Sequence, residues 1–167
     1  MNADQFYASL TNSALGQFMA TSTFAFPLFE TFHFIGLCAL MGALLVVDLR
    51  LLGFMRDVSP KIVLQFLPIA IGGFVINLVT GAGFFAFNPE GYGTNWMFWL
   101  KMGLVGLAGL NALYFTVVEE KRVLAAADGA QFDLQTRVAA GLSLILWVGV
   151  IVTGRLLPVT QGLAGTG

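Results

Sequence analysis

Charge is what this chain has least of. Its 167 residues include 8 Lys and Arg and 9 Asp and Glu, 10% in all, where soluble domains carry about 25%. That scarcity excludes an ordinary water-facing surface, and hydrophobic residues at 57% take its place. The net charge of −1 says nothing about partners, and with no basic stripe or aromatic-plus-basic module no nucleic-acid partner is expected. The one cysteine, Cys38, cannot form a disulfide within the chain and reads as a small buried hydrophobe. The one histidine, His33, excludes a cage of several imidazoles. The first residues carry no Lys or Arg, so the basic region of a signal peptide is missing, and the first apolar segment is expected to be retained.

Long apolar runs are what the chain has instead. A membrane span needs about 20 mostly apolar residues. Four segments meet that length, at 27–48, 62–87, 96–118 and 138–157. Sixteen Phe and twenty Gly suit such a bundle, because small residues let helix backbones approach. Pro27 fits a first helical turn, where its missing N–H leaves nothing unpaired. Pro68 falls inside the second segment and is expected to kink it. Residues 3–20 repeat Phe6, Leu10, Ala14 and Phe18 at helical spacing against Gln5, Asn12 and Gln17, which predicts an amphipathic surface helix. The expected fold is therefore all-α: an integral membrane four-helix bundle, one domain over 1–167, with an N-terminal amphipathic surface helix and the lipid bilayer as its partner.

Orientation follows from the basic residues of the loops. Arg50, Arg56 and Lys61 flank the first loop, and Lys121, Arg122 and Arg137 the third. The second loop and both terminal stretches have neither Lys nor Arg. The first and third loops are expected to be cytoplasmic, with the second loop and both termini on the other side, which the resemblance given below makes the periplasm of a bacterial inner membrane. Tyr92, Trp96, Phe98 and Trp99 would then form an aromatic belt on the periplasmic side.

That topology gathers scattered polar residues at one depth. His33 lies about 9 Å along the first span and Lys101 about 8 Å along the third, at 1.5 Å per residue. Arg155 lies near the outer end of the fourth span, and Asn77 and Thr80 in the outer half of the second. Glu30 and His33 are three apart, on one helix face. Asp48 is five turns from Glu30 and shares that face. A carboxylate and an imidazole are expensive in a membrane helix and point to a site. Gly103, Gly106 and Gly109 form a strip suited to close helix contact, and Asn111 can bond across helices. Val79-Thr80-Gly81 recurs as Val152-Thr153-Gly154, as two tandem helical hairpins would produce. Asp48-Leu49-Arg50 reads as an interfacial ion pair ending the first span. Glu119-Glu120-Lys121-Arg122 reads as the solvated end of the third.

These residues leave three chemistries open. In one, Glu30 pairs with Lys101 or Arg155, and His33 hydrogen-bonds Asn77 or a backbone group, fixing helix register without any cofactor. In another, His33 is the metal ligand and holds haem as a proximal histidine. Lys101 and Arg155 would face the propionates, Glu30 and Asn77 would complete the pocket, and Met41 or a neighbouring subunit's histidine would supply the second axial ligand. In the third, Met19, Met41, Met97 and Met102 join Glu30 and His33 as soft ligands for copper. A di-iron site needs a second E-x-x-H and further glutamates, and zinc needs more ligands than one His and one Glu.

The string from Pro27 to Gly36, with Gly42 and Asp48-Leu49-Arg50-Leu51-Leu52-Gly53, resembles a four-helix bacterial inner-membrane family, a domain of unknown function. The likeness runs through Trp99-Leu100-Lys101 and Asn111 to Ser143, Trp147, Gly154 and Arg155. More loosely, the chain is similar to the copper resistance D family and to the four-helix bacterial protoporphyrinogen oxidases, which bind haem b. That likeness implies His33 as haem ligand, Lys101 as its charged partner and a quinone-linked redox role. The chain departs from the oxidase pattern in having no second histidine and in ending its first helix with Asp48-Leu49-Arg50. A homo-oligomer, or membership of a larger membrane complex, is the expected assembly.

Overall fold

Four helices in the computed structural model, which describes residues 2–164, are long and apolar enough to cross a membrane: Ala25–Leu52, Pro60–Phe87, Trp96–Ala125 and Leu134–Thr160. No strand occurs among the described residues. The predicted all-α membrane bundle is the observed architecture. Its outer surface is apolar, with Phe34, Leu78, Leu110 and Ile145 all exposed where lipid would lie.

The N-terminal segment is two helices rather than the single one expected: α1 (Ala3–Thr11) and α2 (Ala14–Thr21). Asn12 and Ser13 separate them, and the Ser13 hydroxyl caps α2 by accepting from the Gly16 N–H at 3.1 Å. Side chains that prefer caps to helix interiors explain the break. Gly16 brings α2 against the Ala86 carbonyl, and Tyr7 packs on Gly93, so the pair covers one end of the bundle. We call this end, near the N-terminus and the end of the fourth span, the terminal face, and the opposite end the distal face.

The first span is α3 (Ala25–Leu52), closed by Gly53 in the left-handed conformation at φ 99°. The second consists of α4 (Pro60–Leu64) and α5 (Leu67–Phe87). Pro68 occupies the first turn of α5 instead of kinking a continuous helix, because there its missing N–H breaks no bond. A short α6 (Pro89–Gly93) leads to the third span, made of α7 (Trp96–Tyr114), a π-helical turn (Phe115–Glu119) and α8 (Glu120–Ala125). The fourth span is α9 (Leu134–Ala164).

The spans associate as two hairpins, α3 with α5 and α7 with α9, joined through α3 and α9. The first is set by two glycines. An added Cβ at Gly73 would lie 2.5 Å from the Gly36 carbonyl oxygen, and one at Gly36 would lie 2.9 Å from the Gly73 carbonyl. The strip Gly103, Gly106 and Gly109 does not do this: each opens on empty space in the described chain. The apolar core lies in the middle and distal parts, around Leu40, Ala108 and Trp147 and around Val47, Leu51 and Val63. Toward the terminal face, polar ties hold the helices. Asn95 caps α7 through Met97 N at 2.9 Å and donates to Thr160 Oγ1 on α9 at 2.9 Å.

Three charged residues read from the sequence as interfacial or solvated are buried at the distal face. Arg50 is fully buried and makes no ion pair with Asp48. It donates to the Val58 carbonyl at 2.7 Å and the Ala130 carbonyl at 3.2 Å, and lies over the Phe132 ring, so it ties the first and third loops together. Glu119 is likewise fully buried. It accepts from Tyr114 Oη at 3.1 Å and Thr136 Oγ1 at 2.5 Å, with Arg122 at 3.6 Å. The π-turn adds residue rotation to α7, which swings Glu119 off the solvent face.

Candidate functional site

His33 is delivered by the face of α3 that crosses α5 at Gly36. Three residues separate it from Gly36, just as seven separate Thr80 from Gly73, and both spacings return to the same helix face. His33 Nδ1 and Thr80 Oγ1 meet at 2.7 Å. Thr80 is buried and lies 2.7 Å from the Ile76 carbonyl and 3.3 Å from the Asn77 carbonyl. A hydroxyl has one proton to give. The carbonyls cannot donate, so Thr80 gives its proton to Ile76 and accepts from the ring. That assigns the Nδ1–H tautomer to His33 and leaves the Nε2 lone pair free. The Phe84 ring braces the imidazole edge-on at 5.5 Å.

The other predicted site residues divide. Lys101 is half-buried and extends from α7 to α9, where its Nζ rests against Gly154. Asn77 is half-buried and its Oδ1 has no hydrogen-bond partner. His33 bonds to Thr80, not to Asn77. Glu30 and Arg155 are exposed and neither pairs with Lys101 or with each other; Arg122–Glu119 is the ion pair found among the described residues. Met41 packs against the core beside Leu40 and Ala43, so it is not beside His33.

The tripeptide repeat marks equivalent places in the two hairpins. Thr80 and Thr153 are both buried, and Thr153 donates to the Gly149 carbonyl at 2.8 Å as Thr80 does to Ile76. Each hairpin carries one basic side chain from its first helix to the Val-Thr-Gly of its second: His33 to Thr80, and Lys101 to Gly154. The site thus combines one fixed imidazole with a free nitrogen, one half-buried cation and one unpaired amide oxygen. Among the described residues no three His, Cys, Asp or Glu side chains converge as a metal cage would require.

A second polar group, to which the sequence reading gave no chemistry, lies toward the distal face. Asp48 and Ser143 are buried side by side on α3 and α9. Asn111 bonds across helices as expected, its Nδ2 donating to the Ala139 carbonyl at 3.0 Å. All three line a cavity of about 290 Å³. Asp48 does share a face with Glu30 by spacing, but α9 covers that face only at the Asp48 end. Comparison with family models, with curated proteins and with solved structures finds no match, so geometry alone describes this site.

Proposed function

We propose that this chain is a haem b-binding, redox-linked membrane protein, or the membrane subunit of such a complex, with His33 as the iron ligand. The observation that supports the reading is the His33–Thr80 contact. A histidine that ligates a metal almost always donates its other ring N–H to a fixed acceptor, and here Thr80 is that acceptor. One histidine suffices to hold haem iron from the proximal side. Lys101 offers a cation for a propionate, and the unpaired Asn77 Oδ1 offers an acceptor at the same level. Bound haem would supply a one-electron couple. The chain's own contribution is to orient the imidazole, hold its tautomer and exclude water with Phe84.

Met41 lies eight residues from His33, roughly 12 Å along the helix, and cannot reach the same iron. A second protein ligand, if one is used, would come from the histidine of another copy, which is where a homo-oligomer enters. The basic residues at the distal face, Arg56, Lys61, Lys121, Arg122 and Arg137, favour placing that face in the cytoplasm and both termini in the periplasm of a bacterial inner membrane. The test is a pair of variants purified in mild detergent after expression with ample haem. His33→Ala should lose a b-type α band while keeping its helical circular dichroism. Thr80→Val should retain haem with a shifted midpoint potential. An α band that persists in His33→Ala overturns the assignment. Stoichiometric copper with a flat spectrum would replace it with copper handling.

A further inference from the structure

We propose that the cavity at Asp48 is a second, independent binding site, for a lipophilic cation that enters sideways from the bilayer. The cavity lies where α5 and α7 barely touch, so its mouth opens between the second and third spans. Ala112 and Ile71 at that mouth are exposed on the outside of the bundle. The route in therefore runs through lipid, and a molecule that uses it has an apolar body.

The floor specifies the head. Asp48 is 5% exposed and its Oδ2 has no hydrogen-bond partner. Ser143, 7% exposed, approaches the carboxyl from α9 and is the one hydroxyl beside it. No Lys, Arg or His lines the cavity, and Arg50, two residues along, is turned away toward Val58 and Ala130. A carboxylate buried in low dielectric without a counter-charge is costly, and a ligand that brings the positive charge removes that cost. The walls suit the same ligand. Phe74 and Trp147 meet edge-to-face at 6.0 Å and line the end of the cavity at Leu40, away from Asp48, where they suit the apolar body of the ligand. A volume of about 290 Å³ lies near the small end of ligand pockets, which span about 300–1,000 Å³. That fits a bicyclic or short-chain amine rather than a whole phospholipid.

The test uses the full chain in nanodiscs and a tritiated naphthylalkylamine, protonated at neutral pH, beside its neutral alcohol isostere. Saturable binding of about one amine per chain is expected, with the alcohol at least tenfold weaker. Asp48→Asn should weaken the amine at least tenfold and leave the alcohol unchanged. Ala112→Phe, at the exposed mouth and outside the core, should block both, which keeps the test decisive if Asp48→Asn folds poorly. His33→Ala should bind the amine normally, so the outcome does not depend on the haem reading. Amine binding no greater than to empty nanodiscs, or equal binding of amine and alcohol in the wild type and Asp48→Asn, overturns the proposal.

Discussion

Replacing Gly73 by alanine should force the first two spans apart at their closest crossing. The new methyl would sit 2.5 Å from the Gly36 carbonyl oxygen and 2.7 Å from the Leu40 nitrogen. Carbon and oxygen ordinarily approach to about 3.3 Å, so the helices must separate by roughly 0.8 Å. Both obstructing atoms are backbone and cannot rotate away. Overpacking a well-filled interior costs about 1–3 kcal/mol, and rigid neighbours on two sides place this change at about 2–3 kcal/mol. The same substitution at Gly103 meets nothing and should stay within about 0.5 kcal/mol of the wild type. The separation also reaches the site. The His33–Thr80 contact spans the same crossing at 2.7 Å, and roughly 0.8 Å more would carry it past the usual hydrogen-bond range. The assay is reversible unfolding in mixed micelles, followed by circular dichroism, with ¹⁵N spectra of the histidine ring on the same samples. Gly73→Ala as stable as Gly103→Ala, with an unchanged ring spectrum, would refute the packing argument.

Three further outcomes are expected. Thr80→Val keeps the side-chain shape but removes the acceptor, costing roughly 1–3 kcal/mol, and should convert a single Nδ1–H tautomer in ¹⁵N spectra to a mixture. Arg50→Ala removes two charge-assisted bonds, worth about 1.5–3 kcal/mol each, and should speed amide exchange in both loops that Arg50 joins while leaving the spans protected; unchanged loop exchange would count against the tie. Asp133 accepts from the Thr136 N–H at 3.0 Å, which holds its carboxyl below the usual value of 3.8. Its contribution is complete above about pH 4 and fades as pH falls through the lowered folded value, so Asp133→Asn should flatten the acid limb of the stability profile and leave the neutral region little changed.

The spans were legible because long apolar runs have one physical solution in a membrane. Helix ends were less so. α3 and α9 extend beyond the apolar runs at 27–48 and 138–157, since a polar residue such as Arg50 can stay helical once other elements bury it. The site was half legible. Spacing and topology placed His33 and Lys101 at one depth, and in the structure each reaches the Val-Thr-Gly of its own hairpin, at Thr80 and at Gly154. The partner of His33 was missed although Thr80 stood in the repeated tripeptide, because a threonine in an apolar helix looks like a residue bonded only to its own backbone. Glu30 and Arg155 matched in depth but are exposed, because counting along a span gives depth and relative face but not which face its neighbours cover.

Burial at the distal face could not be read from periodicity. The π-turn shifts the phase of the third span within one turn, so a uniform 3.6-residue count leaves Glu119 on the solvent side. Arg50 is buried by two loops that fold back over it, which no local pattern announces. The glycine strip shows the opposite error. Gly103, Gly106 and Gly109 had the right spacing for a contact, yet the glycines that matter are Gly36 and Gly73, whose spacing within their own helices carries no signature.

The first measurement is the reduced-minus-oxidised visible spectrum of the wild-type protein, expressed with ample haem and purified in mild detergent without chelator. A b-type α band, with about one haem per chain or per pair of chains, is the expected result. A flat spectrum from folded protein would contradict haem ligation and leave the His33–Thr80 contact as a bond that sets the register of the first hairpin.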